Sequence, residues 1–233
     1  ADLCLLISTF TYTIYGNHAR PDFSKDWVFW LGGDALGRPL LARIIVASKN
    51  TLTIAATAVV CSVFIGCFLG LIAGYTSKFT SHLILRVADV IMSFPSLLLA
   101  VIILYMLPPS VINIVIVLAI TRIPVYLRTA RAEVLELKER MFVQAAQVMG
   151  ASNKRIIFRH ILPMIVPTML TIATLDFAFV MLAESSLSFL GIGIQPPSAD
   201  WASMVRENAI LIQYAQYDIT AGLTPLIPAA AIA

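Results

Sequence analysis

The sequence predicts an all-α protein that crosses a membrane several times, and three observations carry that prediction. Of its 233 residues 59% are hydrophobic and 12% charged, with a mean hydropathy of +0.89, a balance that no soluble fold requires. Several apolar runs approach or reach the roughly 20 residues a helix needs to cross a hydrocarbon core ~30 Å thick. The basic residues concentrate in one segment, residues 128–160, as expected of a loop on the cytosolic side. The formal charge of +3 is modest, and no Lys- or Arg-rich tract interleaved with aromatics points to nucleic acid.

About six crossings are predicted, the first and last truncated. Residues 3–14 are apolar but too few to span, and they carry neither the basic lead nor the small-residue cleavage site of a signal peptide, so they read as part of a first span. Residues 15–50 form a polar connection with Trp27 and Trp30 as interfacial anchors. Residues 51–74 hold no charge and make the clearest span, with Gly66, Gly70 and Gly74 forming a small-residue stripe for close helix packing. A short loop with Lys78 follows, then a span opened by Arg86 and Asp89, whose i, i+3 spacing lets them offset each other's desolvation. Pro95 is expected to kink that span and Pro108-Pro109 to close it. The next span, 111–127, is interrupted by Arg122 and Pro124, and Arg122 is expected to snorkel toward the cytosolic interface. A fifth span, about 163–190, contains Asp176 and Glu184 eight residues apart, near two turns and on roughly one face. An external segment to about Tyr217 and a short apolar run, 219–233, complete one membrane domain, 1–233.

The cytosolic segment, about 128–162, is read as helix, sharp turn, helix. Val143, Ala145, Ala146 and Met149 give its first helix a small-residue face for another protein's backbone. Gly150 permits the positive φ that ends that helix, Ser152 stands at the N-cap of the next, and Pro163 stops it. With this segment inside, alternation puts nine Lys and Arg in the cytosol and six outside, a modest bias in favour of that orientation.

Chemistry within the chain is not predicted. Cys61 and Cys67 are separated by about 9 Å along one helix, too far to bridge, and with Cys4 they read as small packing residues. His18, His82 and His160 fall in loops or at membrane borders, and no Gly-x-Ser-x-Gly or His-Glu-x-x-His brings a nucleophile to a base. A stand-alone channel or carrier is the rival class, but paired repeats with broken helices are not evident.

Four segments carry a family resemblance. Gln144-Ala145-Ala146, Gly150 and Leu162-Pro163 match in register the "EAA" signature of permease subunits of bacterial ABC importers, with Gln144 in place of Glu and His160 in place of Ile. The Arg159-His160-Ile161-Leu162-Pro163 run is similar to the variant in dipeptide, oligopeptide and nickel permeases. Gly32-Gly33-Asp34-Ala35-Leu36-Gly37-Arg38, Arg86 to Pro95, and Glu184 to Pro197 followed by Trp201 resemble further segments of the same family in the same order.

The resemblance implies a type I importer transmembrane domain in a bacterial plasma (inner) membrane, nearer the C-type than the B-type subunit. It implies a coupling helix between the fourth and fifth spans, with Gln144, Ala145, Ala146, Gly150, His160, Leu162 and Pro163 as the ATPase-coupling residues. The implied partners are a second, B-type permease, two cytoplasmic ABC ATPases, a periplasmic or lipid-anchored solute-binding protein and membrane lipid. The implied solute is a peptide, nickel chelate, opine or glutathione. No Gly-x-x-x-x-Gly-Lys-Ser/Thr loop is present, so ATP and Mg are expected on the partner ATPases and no cofactor on this chain. For Asp176 and Glu184 two readings stand: groups lining the solute path, or carboxylates satisfied by neighbouring hydroxyls or a partner helix.

Overall fold

A computed structural model describes residues 38–76, 78–195, 198–209 and 224–232, and every element among them is helical. The first predicted span, Cys4, His18, Trp27, Trp30, the Gly32–Gly37 stretch and Pro196-Pro197 lie outside the described residues. The elements are α1 (Leu40–Tyr75), α2 (Lys78–Met92), α3 (Ser96–Met106), α4 (Val111–Leu137), α5 (Met141–Val148), α6 (Asn153–Phe189), α7 (Trp201–Asn208) and α8 (Leu226–Ile232). The chain divides into two compact units, Ala1–Thr53 with Glu184–Ala233, and Ile54–Ala183.

Among the described residues three helices, α1, α4 and α6, are long and apolar enough to cross a membrane, and α2 with α3 make a fourth crossing if the pair counts as one. That pair is bent by 87°. Pro95 explains the break, since it has no N–H to donate and holds the preceding residue out of the helical region. At the other end of α3, the Asn113 side chain donates to the Pro108 carbonyl at 2.8 Å and closes the predicted turn.

Helices overrun three predicted boundaries. α1 begins at Leu40, well before the uncharged run, because a hydrogen-bond ladder has no need to stop at the membrane surface. Its polar start is held within its own unit: Arg38 and Arg43 both pair with Glu207, at 2.8 and 3.0 Å, and Trp201 donates to the Ile44 carbonyl. α4 passes through Pro124 without a break and continues to Leu137, so residues 128–137 are helix rather than loop. α6 likewise continues through Pro163. A π-helical turn at Ile157–Ile161, closed by Leu162 N–H on the Ile157 carbonyl, widens the helix just before the proline. The expected stop at Pro163 is therefore corrected to a local widening.

In the 54–183 unit, α1 lies directly against α4. A Cβ on Gly66 would stand 2.5 Å from Tyr126 Cβ, and one on Gly70 2.6 Å from Ala130 Cβ and 2.7 Å from the Leu127 carbonyl oxygen. The predicted stripe is thus a contact of backbone on backbone. Gly70→Leu should push the two helices apart and cost about 1 to 3 kcal/mol. Thermal unfolding of the purified protein in detergent should show the loss, and an unchanged melting temperature would contradict this packing.

Candidate functional site

The polar segment between α4 and α6 forms one ordered loop around α5. After α5, Gly150 N–H donates to the Gln147 carbonyl at 2.9 Å and Ala151 N–H to the Ala146 carbonyl at 3.0 Å. With Gly150 at φ +84° this is a Schellman motif, in which a left-handed residue satisfies the last carbonyls of the helix. The expected turn at Gly150 is present. A Cβ on Gly150 would meet nothing within 4 Å in this chain, so the backbone conformation alone favours glycine here.

The expected docking face of α5 needs correction. Val143 and Ala146 are buried in the cluster of Leu71, Tyr126, Val134, Ile156, Ile161 and Met169, and so turn toward their own chain. The other α5 residues, Met141, Phe142, Gln144, Ala145, Gln147 and Val148, and the following Met149 are exposed, Met141 by 85% and Val148 by 89%. Sequence spacing placed Val143 and Ala146 on one side of a helix but left undecided which side the spans would cover.

Other loop residues take defined places. Gln144 Nε2 donates to the Glu139 carbonyl at 3.2 Å, bracing the turn before α5. A glutamate carboxylate at that position has no hydrogen to donate, so the departure from Glu gives this loop an internal contact. Ser152 occupies the N-cap position of α6, but its side chain makes no capping bond. His160 lies half-buried in the π turn, Leu162 packs on the same cluster, and Pro163 is exposed.

At membrane depth the 54–183 unit holds an ion pair between Arg122 on α4 and Asp176 on α6. Tyr126 donates to Asp176 Oδ2 at 2.9 Å, and the Arg122 guanidinium lies 4.4 Å from the centre of the Phe179 ring. Asp176 is 3% exposed, as expected of a carboxylate that avoids lipid. Snorkelling of Arg122 is corrected: the side chain turns inward because Asp176 offers a countercharge that the hydrocarbon core cannot. Arg122 and Tyr126 are spaced i, i+4 and Asp176 and Phe179 i, i+3, so each pair lies on one face of its helix, but the spacing did not show that the two faces meet. A second expected pair is replaced as well, since Asp89 accepts from Arg128 of α4 at 2.5 Å rather than from Arg86.

In the other unit, Glu184 is fully buried and accepts from Ser188 Oγ at 2.9 Å, while Ile194 N–H donates to that same hydroxyl at 3.3 Å. A neighbouring hydroxyl thus holds one carboxylate oxygen, and Oε2 has no hydrogen-bond partner. Gly191, at φ +85°, ends α6 in a second Schellman motif, and the Arg206 guanidinium covers it. A Cβ on Gly193 would collide with Ser188, which accounts for glycine there. Asp200 caps α7 by accepting from Ser203 N–H. No three His, Cys, Asp or Glu side chains gather to hold a metal ion among the described residues.

A family model described as the binding-protein-dependent transport system inner membrane component matches residues 66–233. The chain is 38% identical over 190 residues to a dipeptide transport system permease protein of Alkalihalophilus pseudofirmus, covering 82% of this chain and 62% of that protein. It is 39% identical over 205 residues to a di/tripeptide transport system permease protein of Pseudomonas aeruginosa, covering 88% and 68%. Identity to a glutathione transport system permease protein of Pectobacterium atrosepticum is 36% over 193 residues, covering 83% and 64%. The chain therefore spans about two thirds of the length of these relatives. Among solved structures, the MetNI methionine ABC transporter in its inward-facing conformations matches with a TM-score of 0.65 at 15% identity, covering 83% of this chain and 91% of that one, a likeness of fold.

The Arg122–Asp176 pair yields a stability test. Asp176→Asn leaves a buried guanidinium without its countercharge and should destabilise the protein by about 3 to 5 kcal/mol, whereas Arg122→Met with Asp176→Leu should recover much of that loss. Unfolding of the single and double variants in detergent measures the difference, and equal stability of all forms would contradict the pairing.

Proposed function

Because the chain belongs to the binding-protein-dependent transport system inner membrane component family, a multi-pass family of the bacterial inner membrane, we propose that it is a permease subunit of an ATP-driven importer of short peptides. It forms half of a translocation pathway with a second, B-type permease, receives solute from a periplasmic or lipid-anchored binding protein, and is driven by two cytoplasmic ATPases that carry the ATP and Mg. The observation that carries this reading is α5. Outside the apolar spans, and flanked by Lys138, Arg140, Lys154 and Arg155, a short helix holds Met141, Val148 and Met149 out to solvent. An apolar patch on an otherwise polar loop marks a protein contact, and an ATPase groove is the partner the family supplies.

The packing of α5 supports the same reading. Its inner residues, Val143 and Ala146, share one cluster with Tyr126 of α4, Met169 of α6 and Leu71 of α1, so a displacement of α5 acts directly on three spans. Gly150 sets the angle at which the chain leaves the contact. Ala146 contributes by seating α5 on its own chain rather than by touching the ATPase. The names of the relatives favour a small peptide, with glutathione among the candidates. Asp176, tied to Arg122 and Tyr126, serves to join α4 to α6, and Glu184 secures the end of α6 through Ser188.

Three outcomes follow. In a variant whose native cysteines are replaced, labels at Ser152 and Ser198 should react from opposite sides of the membrane, and reaction from one side would refute the orientation. A cysteine at Val148 should crosslink to the ATPase in intact membranes, and one at Ala146 should not. Gly150→Val strains a left-handed turn by at least about 1 to 2 kcal/mol and should lower ATP-driven uptake while leaving membrane insertion intact. Wild-type uptake by that variant would remove the basis for the coupling role.

A further inference from the structure

Within the 54–183 unit, α1 and α6 enclose a groove of about 530 Å³ whose walls include Val60, Phe64 and Phe68 on one side and Phe158, Val166 and Leu170 on the other. Among the described residues that line it, none contributes a side-chain oxygen or nitrogen. A peptide passing through would lose its hydrogen bonds to water and find none in return, so this groove is no path for such a solute. Along α6 the lining runs from Phe158 to Ala173, about 22 Å at 1.5 Å per residue, which exceeds the ~15 Å of one leaflet's hydrocarbon. The groove therefore accommodates a full acyl chain entering from one leaflet.

Its end is basic. Leu170, Val166, Leu162 and Phe158 line it at four-residue intervals, and Lys154, Arg155 and Arg159 all stand within four residues of Phe158, at that end of the lining. All three cations are exposed, and none takes part in the ion pairs among the described residues. On α1 the lining ends at Leu71, one turn before Tyr75, whose hydroxyl donates to Asn153 Oδ1 at 3.3 Å. That bond draws the two helix ends together immediately beside Lys154. Apolar walls thus lead to a rim of hydroxyl, amide and cationic groups on the cytosolic side, where anionic lipids attract basic residues.

We propose that this groove holds an acyl chain of an anionic phospholipid of the cytosolic leaflet, whose phosphate is bound by Lys154, Arg155 and Arg159. The site neighbours α5 in sequence and lies on the helix whose Met169 shares a cluster with Val143 and Ala146. It requires only the orientation given above, not any particular solute.

The test places a tryptophan in the groove, Phe68→Trp or, separately, Phe64→Trp, in the complex purified intact from membranes. The reporter is read as its emission above that of the unsubstituted complex, in vesicles of phosphatidylcholine with a minor fraction of phospholipid brominated at mid-chain. Brominated phosphatidylglycerol should quench more strongly than brominated phosphatidylcholine. Arg155→Gln and Arg159→Gln should each weaken that preference about fivefold, and raised salt should weaken it too. Equal quenching by the two lipids at both reporters would overturn the proposal, as would a preference indifferent to the two substitutions. Absence of quenching by either lipid would show that a protein helix covers the groove, and would overturn it as well. The labelling at Ser152 and Ser198 reports the orientation independently, so failure of the lipid site and failure of the topology are distinguishable.

Discussion

The contact of α1 with α4 along Gly66, Gly70 and Gly74 underlies most of the 54–183 unit. Apolar helices in lipid gain little from the hydrophobic effect when they associate, so their stability depends on close packing and on the few polar bonds between them. Three glycines four residues apart let Tyr126, Ala130 and Val134 rest on the α1 backbone. That approach places Tyr126 in the interior, where its hydroxyl reaches Asp176, and it places Val134 and Leu137 where α5 can seat Val143 and Ala146. The seam at membrane depth and the loop outside it are parts of one packed cluster.

Charged residues in this chain are used to join helices. Arg122 with Asp176 links α4 to α6, Arg128 with Asp89 links α4 to α2, and Arg38 and Arg43 converge on Glu207. The Arg122 pair is the most buried of these and so the most demanding: a charge taken out of water must be matched, and the match then fixes which faces of the two helices meet. The Arg128 pair is half exposed, and its contribution is correspondingly small.

The same backbone device ends helices in two different settings. Gly150 closes α5 with open space around it, and Gly191 closes α6 beneath the Arg206 guanidinium. In the first case nothing in the chain lies within 4 Å of the position a Cβ would take. In the second, the cation lies over the carbonyl end of a helix, where the helix dipole favours positive charge, and the turn is sealed within its own unit.

The sequence by itself determined the membrane class, the predicted spans at α1, α4 and α6, the break at Pro95, the turn at Gly150, the glycine stripe and the turning of Asp176 away from lipid. These follow from quantities local to a stretch of chain: hydropathy, residue spacing and the conformational range of glycine and proline. The family was legible for the same reason, since its marks are short segments at fixed spacing. Which side of α5 faces the spans, which carboxylate takes Arg122, which cation takes Asp89, and whether Pro124 and Pro163 end a helix were decided only by tertiary structure. Each depends on what a neighbouring helix presents at one depth: Asp176 turns Arg122 inward, the cluster around Tyr126 claims Ala146, and a π turn makes room for Pro163. A single stretch of sequence carries no record of its neighbour's face, and within the hydrocarbon core that neighbour is what supplies a countercharge or a hydrogen bond.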